Sequence, residues 1–128
     1  ATYVISFLWV LITLKNLQFR DTRFLLSGVS LWLLVPFLFL NPFFEEILVR
    51  GYLMTEISEL RRSIVLAALA SVALQTTYHP YYGLYGALVV GSGLSVFAVY
   101  YAKSHRLAPI ILAHFLWDLT ALLGAWHR

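Results

Sequence analysis

Two acidic side chains and one basic side chain lie together in an otherwise apolar part of the sequence. The segment NPFFEEILVRGY contains Glu45, Glu46 and Arg50, although only 12% of the chain is charged. On a helix, Glu46 and Arg50 share a face, whereas Glu45 is turned about 100° away. The spacing therefore predicts a structural ion pair between Glu46 and Arg50 and leaves Glu45 free to act as a general base. The alternative is that the three groups only satisfy one another at a helix end near the lipid headgroups.

Further polar side chains lie within or directly after the later apolar stretches. His79 lies directly before Pro80, and a neutral histidine there could hold the proton of a water or a substrate. Gln75 lies one turn earlier on the same face and could orient that histidine. His114 and Asp118 are four residues apart and point the same way from the last helix. The alternatives are an interfacial His79, and an Asp118 that only fixes the tautomer of a buried His114.

A carboxylate and an imidazole that share a water are typical of general-base hydrolysis. Inside a low-dielectric bundle, such a pair can activate the water for attack on an amide without a covalent nucleophile. The chain has no cysteine, which excludes disulfides, thiolate metal ligands and a cysteine nucleophile. We expect no cofactor. A zinc site formed by His79, His114 and a carboxylate stays open as an alternative, although the usual HExxH helix is absent.

Membrane helices are the elements expected to position these residues. The chain is 61% hydrophobic and its mean hydropathy is +0.80, against about 45–50% apolar residues in soluble domains. Crossing a bilayer takes about 20 apolar residues, with about 17 as the lower end. The sequence predicts an all-α, polytopic membrane bundle of about five helices around a polar cavity. The five apolar stretches are residues 3–19, 24–44, 64–78, 84–101 and 107–126.

The breaks between these stretches predict where helices begin and end. Proline disfavours helical geometry in the residue before it and starts helices well. A kink or a new helix is therefore expected near Pro42, with the glutamate pair in a first helical turn. Ala87, Gly91 and Ser95 are spaced by four and predict a helix-packing seam. Interfacial loops are predicted at residues 20–23, 56–63, 80–83 and 103–106.

The charge distribution indicates a lipid partner rather than a nucleic acid. Nine Lys and Arg residues against six Asp and Glu residues give a net charge of +3. The basic residues are scattered over predicted helix ends without forming a basic stripe. Residues 1–128 are interpreted as a single membrane-embedded domain. The first apolar stretch begins at once, without Met or a charged leader. We therefore expect residues 1–128 to be an excerpt of a longer chain. The expected location is integral and multi-pass, in the cell membrane.

The order of these motifs resembles the CAAX protease and bacteriocin-processing family, also called the CPBP or Abi family, of intramembrane glutamic proteases. The resemblance is carried by the EExxxRG element at 45–51, by His79, and by RLAPIILAHFLWD at 106–118. It covers roughly residues 25–126. A bundle of membrane helices around a polar, water-accessible cavity is what the resemblance implies.

The resemblance also implies roles for individual residues. Glu45 and His79 would activate a water for attack on a peptide carbonyl. His114 and Asp118 would correspond to the oxyanion-stabilising pair of the family. Glu46 and Arg50 would support the site.

Two positions depart from the pattern of the family. The second motif is often FxxxH, but Gln75 stands four residues before His79. Many members have Asn where this chain has Asp118, and an ionised carboxylate would repel a developing oxyanion, which needs donors. Either Asp118 is protonated in its apolar surroundings, or it orients His114 as an acceptor and His114 donates alone. The second interpretation is preferred.

The sequence thus predicts an intramembrane endopeptidase that cuts near the membrane surface. Its substrate would be a peptide or protein with a membrane-associated segment, and prenylated C-termini, peptide leaders and sorting-tail anchors are all compatible with the resemblance. A zinc-dependent membrane metalloprotease is one alternative. The other is a non-enzymatic transporter or partner-binding protein, in which Glu45 and His79 need not converge.

Overall fold

The fold is helical throughout the part of the chain that the structure describes. A computed structural model describes residues 28–126, and no strand occurs among them. The predicted stretch at 3–19 and the loop at 20–23 lie outside the described residues. The elements are α1 (Leu31–Glu46), a π-helical segment (Ile47–Met54), α2 (Thr55–Arg61), α3 (Ile64–Thr77), a 3-10 turn (Pro80–Tyr82), α4 (Gly83–Ser104) and α5 (Ala108–Trp126).

Pro42 does not begin a new helix. Helix α1 contains both Pro36 and Pro42 and continues to Glu46. Proline lacks a backbone N–H, but helices in apolar surroundings tolerate it where neighbouring groups satisfy the freed carbonyl. Because α1 runs through Pro42 without a break, the prediction of a new helix there is wrong; the alternative, a kink, stays a prediction. Glu45 and Glu46 lie at the end of α1, where the helix widens, and not in a first turn.

A π-helical segment follows the glutamates directly, and α2 continues it, so that α1, the π-helical segment and α2 form one helix within residues 28–126. The predicted loop at 56–63 is consequently much shorter than expected. Helix α2 ends at Arg62, which adopts a left-handed conformation with φ 50°. The Ser63 hydroxyl then caps α3 by accepting a hydrogen bond from the Leu66 N–H at 3.2 Å. The predicted turns around 80–83 and 103–106 lie close to the observed breaks.

The surface of the bundle is strongly apolar, and its interior contains polar as well as apolar residues. Large apolar side chains face outwards, with Trp32 at 88% and Leu60 and Leu84 at 79% exposure. Charged side chains are almost never fully buried in proteins unless they are paired. The buried polar residues of the described range are Glu46, Arg50, Ser71, Gln75, His79 and His114. A polar interior behind an apolar exterior is typical of a bundle that meets lipid.

Two helices are long and apolar enough to cross a membrane by length and composition. They are Trp32–Arg61 and Pro80–Ser104. Ile64–Thr77 and Ala108–Leu123 are shorter apolar helices. The apolar core between them is built from Met54, Ala67, Ala98, Tyr101 and Ile110.

Helices α3 and α4 approach closely at Gly91. A Cβ at this position would lie 2.5 Å from Thr76 Oγ1, which is closer than real Cβ contacts. Ala87 and Gly91 of the predicted seam are buried, and Ser95 is half-buried. The absence of a side chain at Gly91 therefore permits this helix contact.

We expect Gly91→Ala to lower the free energy of unfolding by about 1–3 kcal/mol, because the added methyl group must displace Thr76. Thermal unfolding of the protein in detergent micelles measures the change. The double variant Gly91→Ala/Thr76→Ala removes the obstructing atoms and should recover most of the loss. If Gly91→Ala alone unfolds like the wild type, α3 and α4 do not approach closely at Gly91.

Candidate active site

The Glu46 carboxylate is completely buried and contacts two side chains, a guanidinium and an imidazole. Its Oε2 lies 3.3 Å from Arg50 Nε, which is the ion pair that the spacing predicts. Its Oε1 lies 2.7 Å from His114 Nδ1 on α5. Spacing along one helix gives no indication of this second contact, because 68 residues separate the partners. Glu46 therefore connects the end of α1 to α5.

Arg50 extends the same polar network to two more helices. Its guanidinium is fully buried in the π-helical segment. It donates through Nη1 to Gln75 Oε1 on α3 and through Nη2 to the Leu94 carbonyl on α4, the latter at 2.9 Å. A buried charge needs partners of this kind because its desolvation is costly. The Gln75 side chain thus holds Arg50, whereas the sequence suggested that it orients His79.

His79 is oriented by backbone instead. Its Nδ1 lies 2.6 Å from the Gln75 carbonyl oxygen, one turn earlier at the end of α3. Because a carbonyl only accepts, Nδ1 carries the proton, and Nε2 of a neutral ring keeps its lone pair. The ring is buried and stacks against Tyr82, with centroids 6.0 Å apart and planes 10° apart. His79 is therefore held with Nε2 as its acceptor nitrogen.

Glu45 and Glu46 lie towards different nitrogens of one imidazole. Glu45 Oε2 is 4.0 Å from His114 Nε2, while Glu46 takes Nδ1. The Glu45 side chain is 21% exposed, yet its Oε2 is buried and makes no hydrogen bond. This unpaired oxygen is the acceptor that a general base would offer to a water.

Asp118 lies beside the same histidine without a hydrogen bond to it. Its Oδ1 is 3.8 Å from His114 Nε2, which is beyond hydrogen-bond distance. The preferred interpretation, in which Asp118 is the acceptor that orients His114, is therefore wrong, because Glu46 occupies that role. Asp118 lies near enough to Glu45 and His79 to feel their charges, and Asn41 is a further polar neighbour. The structure thus brings Glu45, Glu46 and Asp118 to within 4.0 Å of the His114 ring, where they form one polar cluster.

Three residues of this cluster were not predicted from the sequence. Tyr78 lies near Glu45 and Gln75, and Tyr81 lies near Glu45 and Asp118. Asn41 lies one turn before Glu45 on the same helix face. The sequence YHPYY at 78–82 could have indicated the tyrosines, because it places three phenols close to His79 along the chain.

The zinc alternative gains no support from residues 28–126. Within this range, no three His, Asp or Glu side chains are arranged so that they could hold a metal ion.

Comparison with known proteins places the chain in a family of peptidases. The chain matches a family of peptidases, described as Type II CAAX prenyl endopeptidase Rce1-like, over residues 27–120. The chain belongs to this family, which confirms the resemblance seen in its motifs. Comparison with curated proteins and with solved structures finds no match. The matched range contains all the predicted site residues, whose individual roles stay predictions.

We expect Glu46→Ala to lower the free energy of unfolding by about 3–5 kcal/mol, because it leaves the buried Arg50 charge without its carboxylate. Thermal unfolding in micelles measures the loss. Glu56→Ala, an exposed glutamate of α2, is the matched control and should change stability by less than about 0.5 kcal/mol. Equal stability of the two variants would contradict a central ion pair at Glu46.

Proposed function

We propose that the protein is an intramembrane endopeptidase that hydrolyses a peptide bond near the membrane surface. A water activated between Glu45 and His79 would be the nucleophile. The observation that carries the proposal is the fixed ring of His79, whose Nδ1 donates to the Gln75 carbonyl and leaves Nε2 as an acceptor. The buried and unpaired Oε2 of Glu45 supports it, as does membership in a family of endopeptidases.

The proposed reaction needs no covalent intermediate on the protein. The water gives a proton to Glu45 and its oxygen attacks the carbonyl carbon, so that a C–O bond forms and the carbonyl becomes an oxyanion. His79 accepts the second hydrogen bond of the water through Nε2 and orients it. The C–N bond then breaks, and the proton held by Glu45 passes to the leaving amine. The products are a carboxylic acid, which keeps the second proton of the water, and an amine; proton exchange then leaves a carboxylate and an ammonium group.

His114 is the proposed donor to the oxyanion. Its Nδ1 is engaged with Glu46 at 2.7 Å, so only Nε2 can face a substrate. An imidazole that already donates through Nδ1 can donate through Nε2 only when both nitrogens carry protons. His114 would therefore act as an imidazolium, with Glu46 holding the ring and Asp118 beside Nε2 at 3.8 Å.

A multi-pass location in the cell membrane completes the proposal. It is supported by the two spanning-length helices and by the polar interior behind an apolar surface. Residues 1–128 would form one protease domain whose helices surround a polar cavity. The substrate would be a peptide or protein with a membrane-associated segment, and no cofactor is required.

A non-enzymatic transporter or partner-binding role is less well supported. That role does not require Glu45 and His79 to converge. It also gives no reason for the fixed tautomer of His79 or for the buried, unpaired Oε2 of Glu45.

We expect Glu45→Gln and His79→Gln each to lower kcat for cleavage of a prenylated CAAX peptide by at least about 100-fold, because each removes one of the two groups that hold the water. The rate is measured with the purified full-length protein, as release of the C-terminal fragment of the substrate peptide. Glu59→Gln and His105→Gln remove exposed side chains of the same types and should cleave like the wild type.

Retained cleavage in both Glu45→Gln and His79→Gln, with unchanged thermal unfolding, would reject the assignment. A parallel treatment with a chelator separates the zinc alternative, which requires activity to fall and to return when zinc is added. We expect the chelator to leave the rate unchanged.

We expect Asp118→Asn to retain at least wild-type kcat/KM in the same assay. The amide removes a negative charge beside the proposed oxyanion and supplies an N–H donor. Asp118→Leu, which has no donor, is the matched comparison and should be slower than Asp118→Asn. If Asp118→Asn is as inactive as Glu45→Gln, the carboxylate itself takes part in the reaction.

A further inference from the structure

Gln75 contacts two parts of the site at once, one through its side chain and one through its backbone. The residue is completely buried near the end of α3. Its side-chain Oε1 accepts a hydrogen bond from Arg50 Nη1. Its backbone carbonyl oxygen lies 2.6 Å from His79 Nδ1. Position 75 therefore joins the buried arginine to the histidine that would orient the water.

The end of α3 leaves the Gln75 carbonyl available to the His79 ring. The last four carbonyls of an α-helix have no intrahelical partner, and the final turn often tightens to bonds three residues apart. Here the His79 N–H donates to the Thr76 carbonyl at 3.3 Å, three residues back, rather than to Gln75, four residues back. The imidazole Nδ1–H takes its place as the donor to the Gln75 carbonyl.

The same arginine also reaches the other imidazole of the site. Arg50 Nε lies 3.3 Å from Glu46 Oε2, and Glu46 Oε1 lies 2.7 Å from His114 Nδ1. One continuous series of contacts therefore connects the two imidazoles, in the order His114, Glu46, Arg50, Gln75 and His79. Because the donors of a guanidinium form a rigid planar fork, Arg50 relates the positions of both rings.

We propose that Gln75 is a positioning residue of the site: by binding Arg50 through its side chain, it fixes the backbone carbonyl that holds His79 in the Nδ1–H tautomer, with Nε2 as the acceptor for the water. The inference rests on the proposed function. Helix ends fray, and a buried bond to a guanidinium restricts that motion. The phenylalanine of the FxxxH motif has no acceptor for Arg50, so the link is particular to this chain.

The first test is Gln75→Met in the purified full-length protein, with a prenylated CAAX peptide as the substrate. Methionine is also unbranched and flexible, but it lacks the oxygen that accepts from Arg50. We expect kcat to fall about 10- to 100-fold, because a small displacement of His79 misplaces the water. KM should stay unchanged, because Gln75 is buried behind His79 and binds no substrate in the proposed reaction.

Two further variants serve as controls. Gln75→Glu again offers an oxygen to Arg50 and should restore most of kcat. Ser71→Ala removes another completely buried polar group from the same face of α3, one turn earlier. It should leave kcat at the wild-type value.

The tautomer of His79 gives a readout that a purely structural role would not change. Nitrogen and carbon chemical shifts of the neutral ring distinguish Nδ1–H from Nε2–H, and the spectrum of His79→Gln assigns the signal. We expect Nδ1–H in the wild-type protein, because the Gln75 carbonyl only accepts. In Gln75→Met, the Nε2–H form should become populated, since the bond that selects the tautomer is weakened. Gln75→Glu should retain Nδ1–H.

Each measurement can contradict the proposal. A wild-type His79 in the Nε2–H form would overturn it without any variant at position 75. A wild-type kcat in Gln75→Met would also overturn it, and so would a lowered kcat with the Nδ1–H tautomer retained. Equal losses of kcat in Gln75→Met and Gln75→Glu would show that the bond to Arg50 does not position His79. If Gln75→Met does not fold, Gln75→Asn, which is one methylene shorter, takes its place.

The inference and the proposed function fail in different ways. If Glu45→Gln and His79→Gln still cleave the peptide, the proposed function fails, whereas the tautomer of His79 still tests its link to Gln75. If those variants are inactive while Gln75→Met cleaves at the wild-type rate, only the inference about Gln75 is wrong.

Discussion

The arrangement of the bundle depends on one carboxylate that has no contact with solvent. Glu46 lies between Arg50 Nε at 3.3 Å and His114 Nδ1 at 2.7 Å. Such a group is stable in an apolar interior only when its charge and its lone pairs are met. Arg50 in turn reaches α3 and the backbone of α4. The polar network therefore joins all the helices of residues 28–126, where lipid outside would offer little hydrophobic drive for their association.

The widened helix after Glu46 belongs to the same constraint. A π-helical turn bonds five residues apart, and such turns are frequent at functional sites. Here the π-helical segment contains Arg50 and Gly51, and a Cβ at Gly51 would lie 3.0 Å from Leu107 Cδ1 at the start of α5. The missing side chain lets α5 approach the segment that carries Arg50. His114, two turns further along α5, can then reach Glu46.

Local features of this protein were predictable from the sequence, and contacts between helices were not. The all-helical class followed from composition, and the Glu46–Arg50 pair followed from a spacing of four residues. Helix α2 was not predicted, because the polar sequence TEISELR was interpreted as a loop. Its Glu, Leu and Arg residues are nevertheless good helix formers. The partners Glu46 and His114 are 68 residues apart, and nothing in their spacing indicates that they meet. For the same reason, Gln75 was assigned to the nearby His79 rather than to Arg50.

A proton on His114 Nε2 would have two effects: it would balance a negative charge of the site, and it would provide a donor to the oxyanion. Glu46 is balanced by Arg50, but Glu45 and Asp118 both lie within 4.0 Å of His114 Nε2 without a cation of their own there. Two unbalanced carboxylates in a low-dielectric interior repel each other strongly. An imidazolium at His114 would balance one of them and would also present Nε2–H to the oxyanion. One negative charge would then remain, and it is the charge that a general base needs in order to take a proton from water.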